Sequence, residues 1–355
     1  MLYKEDWDKC KQKYLEYWSK ENHDRPLISI RAPKKNSKRV EVKGSDNLRE
    51  RWMDTEYIIK SGRAQMENTF FGGEAYPILW PNLGPDVFGA FYGAELEFGE
   101  ETSWAHPIIE DWNDVDRLKF NAESLWYKKI IQMTKDIVED SKGDYMVGIT
   151  DLHPGADGLV ALRGPENLCY DVLDYPERVK DGVMELLPGF KKTVDELFDI
   201  TQKYQKGTTN WMGQWHPEKW YVTSCDFSCM ISQDMYKEFI LPELIEELNY
   251  LDASIYHLDG PGALKHLDTL LSIEKLNGIQ WVYGAGQPTA SHWIPVLKKI
   301  QKAGKLIHVD IVPEELDVLL EAIEPEGVMY NTYCSSEDQA RAILKKVETY
   351  KKKLY

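Results

Sequence analysis

Residues 254–283 read SIYHLDGPGALKHLDTLLSIEKLNGIQWVY, and this stretch decides the fold. A short apolar run at 254–257 is followed by a Gly/Pro turn, a segment with helical spacing at 263–271 and a second apolar run at 279–283. A strand, a helix and a strand in this order form a βαβ unit, in which the two strands lie parallel. The stretch therefore predicts a parallel sheet covered by helices.

The same alternation continues on both sides of this unit. Further runs typical of strands lie at 27–30, 145–150, 208–211, 221–225, 306–309 and 327–331. Segments with helical spacing lie at 123–140, 165–204 (two helices), 234–251, 291–303, 313–322 and 337–352. About eight strands alternating with helices predict an α/β fold, a closed (β/α)8 TIM barrel, whose chemistry lies at the C-terminal ends of the strands.

The first third of the chain lacks this regular alternation of strands and helices. Residues 5–20 and 48–68 have helical spacing, whereas 69–107 are rich in Gly, Pro and aromatic residues and predict an elaborate loop. We therefore expect a single domain, in which an N-terminal elaboration (1–120) packs on a barrel (121–355).

The composition and net charge of the chain disfavour several classes of protein. Lys and Arg number 43 against 59 Asp and Glu, which gives a net charge of −16. Such a chain repels nucleic acid and anionic membranes, and no run of about 18 apolar residues is present to span a bilayer. We expect no secretory signal, and the five scattered cysteines predict a reducing, cytoplasmic location. Phosphate-binding glycine loops and the Gly-x-Ser-x-Gly nucleophile motif are absent from the sequence.

His257 and Asp259 are the first candidate site residues. They lie two residues apart at the end of a predicted strand, so both side chains point to the same face. Cys334 closes another predicted strand, and His, carboxylate and thiolate are all ordinary zinc ligands. The alternative is a structural His–Asp hydrogen bond beside an unrelated buried cysteine.

Three further candidates lie at the end of the predicted strand at 208–211 or in the loops after this strand and the one at 221–225. Trp211 and Trp215 could stack on an aromatic ligand or surround a methylammonium group, or they could simply pack in a loop. Asp226 could act as an acid, a base or a hydrogen-bond acceptor at the site.

A fourth segment, 151–158, reads DLHPGADG. It superficially resembles the Asp-x-His-x-x-Gly loop of corrinoid-binding domains, but Ala156 occupies the glycine position. We interpret it as a barrel loop from which Asp151 or His153 could touch a substrate.

Several segments also resemble segments of a known protein family. They are Arg25-Pro26-Leu27-Ile28, Asn82-Leu83-Gly84-Pro85, the runs LRGPENL (162–168) and YPE (175–177), His257-Leu258-Asp259-Gly260, WVYGAG (281–286) and Ala303-Gly304-Lys305. Over nearly its whole length the chain resembles the uroporphyrinogen decarboxylase superfamily, in its branch of corrinoid-linked methyltransferases, and there the subgroup labelled trimethylamine corrinoid protein 2.

The resemblance implies a cofactor and partners. Zinc-dependent members carry a His-x-Cys pair and a later Cys, which match His257, Asp259 and Cys334 here, with Asp259 in place of the first Cys. It implies Zn²⁺ on those residues, a small methyl donor or acceptor, a corrinoid carried by a separate protein and a homodimer. The Arg-rich motif of true decarboxylases is missing around Met53 and Asp54, which disfavours uroporphyrinogen as substrate.

Two other functions remain open. One is a metal-free decarboxylase or lyase of the same fold, which would use Asp226 and Asp259 as acid and base with His257 orienting them. The other is a non-catalytic barrel that binds a small aromatic or quaternary ligand.

Overall fold

The computed structural model describes residues 1–38, 40–115 and 118–350. The strands are β1 (Leu27–Pro33), β2 (Thr69–Gly73), β3 (Ile78–Leu79), β4 (Glu95–Phe98), β5 (Ser103–His106), β6 (Met146–Val147), β7 (Trp220–Ser224), β8 (Ala253–Asp259), β9 (Gly278–Val282), β10 (Leu306–Asp310) and β11 (Val328–Tyr333).

Seven of these strands form the central sheet, in the order β2-β1-β11-β10-β9-β8-β7. All neighbours pair in parallel except β2, which runs antiparallel to β1. β3 pairs with β6, β4 pairs with β5, and a single bridge links Ile149 to Asn210. The predicted α/β architecture with a parallel sheet is confirmed. The hydrogen-bonded ladders of the described residues do not close into a ring, so the closed barrel stays a prediction.

Helices follow most of the strands and cover the sheet. They are α1 (Trp7–Ser19), α2 (Leu48–Met53), α3 (Thr55–Asn68), α4 (Val87–Ala90), α5 (Leu125–Ser141), α6 (Gly155–Arg163), α7 (Pro165–Asp174), α8 (Pro176–Thr201), α9 (Gln233–Met235), α10 (Leu241–Tyr250), α11 (Gly260–Ala263), α12 (Leu267–Leu271), α13 (Ile294–Lys302), α14 (Leu316–Ala322) and α15 (Glu337–Glu348). Within the described residues, no helix is both long enough and apolar enough to cross a membrane.

The structure corrects four of the predicted elements. The strand predicted at 208–211 is not formed, and isolated bridges link Thr208 to His216 and Asn210 to Ile149 instead. The helix predicted at 48–68 breaks at Asp54, because the Asp54 side chain accepts the backbone N–H of Tyr57 and starts a new helix. The loop predicted at 69–107 instead contains four short strands and α4. The segment after His153 forms α6 rather than a loop, although it opens with glycine at φ +61°. The last two residues of the helix predicted at 337–352 lie outside the described residues.

The register of the sheet decides which side chains share a face. Ser224 pairs with His257, His257 with Gln280, and Gln280 with His308. Directly paired residues on neighbouring strands point to the same side, and so do residues two apart on one strand. One face of the sheet therefore carries a polar row near the carboxyl ends of its strands, made of Ser224, His257, Asp259, Gln280, His308, Asp310, Asn331, Ser29 and Arg31.

A continuous core supports this row. Large buried side chains such as Trp220, Trp281 and Tyr256 lie on or beside the central strands. Tyr14 of α1 and Phe88 of α4 belong to the same apolar cluster, so the N-terminal segments share a core with the sheet. The polar row therefore rests on closely packed side chains.

Candidate metal centre

Three side chains gather at the carboxyl ends of β7 and β8. Asp226, His257 and Asp259 each offer one ligand atom, and these atoms all lie within 4.8 Å of one another. His257 and Asp259 are two apart on β8, and Asp226 lies just after β7, which pairs with β8 through Ser224 and His257. The alternation of strand side chains and the register between the strands together explain why these groups converge.

The His257 ring is held in one orientation by Gln280. The Nδ1 atom of His257 lies 2.7 Å from Oε1 of Gln280 on the neighbouring strand. Because an amide oxygen can only accept, Nδ1 carries the proton and Nε2 keeps its lone pair. A histidine that ligates a metal is typically fixed in this way by a partner on its other nitrogen.

The carboxylates of Asp226 and Asp259 have no competing partner. In the described part of the chain, neither side chain accepts a hydrogen bond or forms an ion pair. Partial removal from water, together with the nearby charge of Asp157, raises the pKa of Asp226. Two unpaired carboxylates facing an imidazole lone pair repel each other until a cation joins them. The three groups therefore fit a divalent metal ion such as zinc, with a position left open for another ligand.

Asp157 holds the turn that carries Asp226. Its two carboxylate oxygens accept the backbone N–H groups of Asp226 at 2.8 Å and Phe227 at 2.9 Å. Asp157, His153 and Asp226 also form a second group within 4.8 Å. Because both oxygens of Asp157 already accept hydrogen bonds, we assign Asp157 a positioning role.

Both ring nitrogens of His153 also have partners within the protein. Its Nε2 atom lies 3.1 Å from Oδ1 of Asp151, and its Nδ1 atom lies 3.2 Å from Oγ of Ser224. Burial favours the neutral ring, but the carboxylates of Asp151 and Asp157 outweigh it and raise the pKa of His153 well above its usual value. The structure thus places His153 beside Asp226 and pairs it with Asp151, and contact of either residue with a substrate stays a prediction.

Cys334 is not part of this arrangement. It belongs to neither of the two groups, and with Ala32 and Pro33 it lines a neighbouring cavity, to which Arg31 and Tyr333 also contribute. Tyr333 pairs with Arg31, so its side chain lies on the same face of the sheet as the polar row. Side chains alternate between faces along a strand, so the side chain of Cys334 faces the other side. The ligand set His257, Asp259 and Cys334 is therefore corrected, since Asp226 takes the position expected for the cysteine. Burial also raises the pKa of the Cys334 thiol.

The two tryptophans have different positions. The Trp211 ring lies 5.3 Å from the His257 ring, edge to face, and it lines a cavity of about 430 Å³. Trp215 is instead buried against Trp7 and Tyr14, and its Nε1 donates to the carbonyl of Lys206 at 2.9 Å. Trp215 is therefore a core residue, and its expected contact with substrate is corrected.

Two buried carboxyl groups lie behind Asp157. Glu243 and Glu247 are one turn apart on α10, and both are almost fully buried. Burial, with a smaller contribution from the charge of Asp157, raises the pKa of Glu243 to about 8. Glu243 packs so closely on the start of α6 that a Cβ atom at Gly155 would lie 2.7 Å from its Oε2.

This burial predicts a pH-dependent stability. The unfolded chain loses the Glu243 proton near pH 4.5, whereas the folded protein keeps it up to a pH of about 8. The folded pKa is raised, so stability falls as pH increases through this window. We expect Glu243→Gln to be more stable than the wild type at pH 8 by an amount on the order of a few kcal/mol, and nearly equal to it at pH 4.5. Urea unfolding at the two pH values measures this, and an equal difference at both would contradict it.

Sequence reasoning missed several residues of the site. Gln280, His308 and Arg31 are polar side chains within otherwise apolar strands, and that pattern was the available signal. Asp157 lies one helical turn after His153, a spacing that becomes visible only once α6 is known. These residues act through neighbours on other strands, so spacing along the chain does not show their roles.

The comparisons with known proteins bear on the fold. No protein-family model matches the chain, and no curated protein matches it either. A solved structure described as a methyltransferase from Methanosarcina mazei superposes with a TM-score of 0.62 and 11% identity, covering 96% of this chain and 98% of that one. A beta-mannanase from a symbiotic protist of the termite Reticulitermes speratus gives only 0.37 at 9% identity, over 98% and 92% of the two chains, and carries no argument.

The first superposition extends over nearly the whole of both chains, so the two proteins share a fold. The protein has an α/β fold with a mostly parallel sheet, and a group of two carboxylates and an imidazole that could hold a cation lies at the carboxyl ends of its strands. Chemistry in such folds belongs at this end.

Proposed function

We propose that this chain is a zinc-dependent methyltransferase that exchanges a methyl group between a small methylated substrate and a separate corrinoid protein. The observation that carries the proposal is the group of Asp226, His257 and Asp259, with two unpaired carboxylates and an oriented imidazole. The methyl group would be bound to oxygen, nitrogen or sulfur. The resemblance to corrinoid-linked methyltransferases and the fold shared with a methyltransferase support this choice of chemistry.

Each residue has a defined task in this proposal. His257, fixed by Gln280, and the carboxylates of Asp226 and Asp259 hold the ion and leave one position for the substrate heteroatom. A bound zinc ion supplies Lewis acidity, which makes the heteroatom a better leaving group when its methyl carbon is attacked. Asp157 keeps Asp226 in place through its two backbone hydrogen bonds. Trp211 covers the edge of His257 and restricts water.

The corrinoid is expected on a partner protein. The chain carries no complete corrinoid-binding motif, because Ala156 interrupts the one partial match. The open carboxyl end of the sheet would have to admit the partner, and Asp226 and Asp259 are both exposed there.

One observation favours a second function. The carboxyl groups of Asp226 and Asp259 lie beside the imidazole of His257, so a metal-free decarboxylase or lyase could use them as acid and base with His257 orienting them. The two functions differ in their need for metal.

Metal content and methyl transfer test the proposal together. Protein purified without chelator should contain about one zinc ion per chain, as expected for a single site with three protein ligands. Transfer to free cob(I)alamin from a panel of O-, N- and S-methyl compounds should stop after chelation and return with zinc. A metal-free preparation that keeps full activity would overturn the proposal and favour the lyase.

A further inference from the structure

A cavity adjoins the candidate metal centre on the same face of the sheet. Its volume is about 430 Å³, which suits a small molecule. Trp211 and Gln280 line the cavity, and both also contact His257. A ligand in this cavity therefore lies beside the metal group.

Arg31 lines this cavity, and also the neighbouring cavity of Cys334, without an acidic partner. Its Nη1 donates to Oγ of Ser29 and to Oδ1 of Asn331, both at 3.3 Å. Within the described residues, Arg31 forms no ion pair, and its Nη2 and Nε atoms have no hydrogen-bond acceptor. A guanidinium has five donors in a planar fork, so most of its capacity is unused. A free arginine fork is unexpected in a chain with 59 acidic residues.

Two other donors line the same cavity. Nε1 of Trp211 is shielded from solvent and has no partner in the part of the chain that the structure describes. The buried His308 ring has its Nδ1 atom 2.5 Å from Nε2 of Gln214. An amide nitrogen can only donate, so Nδ1 accepts and Nε2 of His308 carries the proton. An unpartnered buried donor costs free energy unless a ligand accepts from it.

The two charged residues that line the cavity do not pair with each other. The charged residues that line it are Arg31 and Asp310. Asp310 already accepts from Nδ2 of Asn331 at 2.9 Å and lies 3.9 Å from Nε2 of His308, and within the described residues it forms no ion pair with Arg31. The Arg31 guanidinium, with most of its donors unused and no acidic partner, favours an anionic ligand over a neutral or cationic one.

We propose that this cavity binds the carboxylate of the small methylated substrate, with Arg31 as its principal partner. The Arg31 guanidinium pairs with the carboxylate, and Trp211 and His308 line the cavity around it. The methylated end of the molecule then extends toward Asp226, His257 and Asp259. This adds a substrate class, the methylated carboxylic acids, to the proposed function, and it rests on that function only for the reaction that the bound acid enters.

Binding to chelator-treated protein tests the inference independently of metal and of catalysis. The probes are the acid 2-(methylthio)acetate and its neutral amide, 2-(methylthio)acetamide, and their binding is titrated by ligand-observed NMR. The wild type should bind the acid at least about 10-fold more tightly than the amide, as expected for hydrogen bonds to a charged group. Arg31→Gln should weaken acid binding by about 10- to 100-fold and leave amide binding within about 2-fold.

Arg51→Gln is the matched control, since it removes the same charge at a residue paired with Glu100 outside this cavity. It should bind both probes as the wild type does. Arg31→Lys should give intermediate affinity for the acid, because it keeps the charge and loses the fork. This variant and the acid-to-amide ratio of the wild type decide the question if Arg31→Gln fails to fold.

The inference is overturned if the wild type does not bind the acid, binds the amide equally well, or loses nothing on Arg31→Gln. Acid binding that depends on Arg31 in a protein without zinc or methyl transfer would sustain it while the proposed function fails. Zinc-dependent methyl transfer without such binding would do the reverse.

Discussion

His257→Ala is expected to remove the bound metal and reduce methyl transfer by at least about 100-fold, more than the 10- to 100-fold typical of residues that only support a ligand. The imidazole is the one neutral ligand of the group, and without it the carboxylates of Asp226 and Asp259 remain within 4.8 Å of each other. Zinc content after dialysis and the rate of transfer to cob(I)alamin measure the two effects.

Two further variants make this experiment specific. Gln280→Leu keeps all three ligands but frees the His257 ring, so zinc affinity should fall by about 10- to 100-fold without being abolished. Cys334→Ala should keep its zinc, because Cys334 lies outside the group and lines another cavity. Zinc that survives His257→Ala but is lost with Cys334→Ala would contradict the assignment.

Arg25→Met is expected to lower the free energy of unfolding by about 3–5 kcal/mol, the cost of leaving one charge of a buried pair alone. Nη2 of Arg25 lies 2.7 Å from Oε1 of Glu74, whose side chain is only 3% exposed. Oε2 of Glu74 also accepts the backbone N–H of Ile28 at 2.8 Å, so the pair fixes the start of β1. Urea unfolding measures the loss.

The double variant Arg25→Met with Glu74→Gln serves as the control. It removes both charges and keeps an acceptor for Ile28, so it should recover much of the lost stability. A loss of under about 1 kcal/mol in Arg25→Met would show that the pair is solvated. This pair also gives the Arg25-Pro26-Leu27-Ile28 segment a structural role rather than a catalytic one.

Much of the architecture could be predicted from local pattern. Alternating apolar strands and amphipathic helices identify the parallel sheet, because each element must bury one face. The 69–107 region could not be assigned in this way, since its strands are two to five residues long and their burial depends on distant partners. Closure of the sheet into a barrel depends on pairings that the pattern of residues does not specify.

The candidate site was predictable only where position along a single strand decides which way a side chain points. The convergence of His257 and Asp259 follows from the two-residue period of β8, and Asp226 follows from its place after β7. The same rule explains why the prediction of Cys334 as a ligand is wrong. The side chain of Tyr333 lies on the face of the polar row, so that of the next residue, Cys334, lies on the other face. The roles of Gln280 and Arg31 depend on the register between strands, which is set by the packing of the whole sheet.

Anomalous diffraction at the zinc edge, from crystals of protein purified without chelator, tests the central claim most directly. The account predicts one strong peak bonded to the carboxylates of Asp226 and Asp259 and to Nε2 of His257. Zinc–ligand distances should be about 2.0–2.2 Å, the range found for imidazole and carboxylate ligands. A peak at Cys334, or no peak between these three side chains in zinc-supplemented crystals, would contradict it.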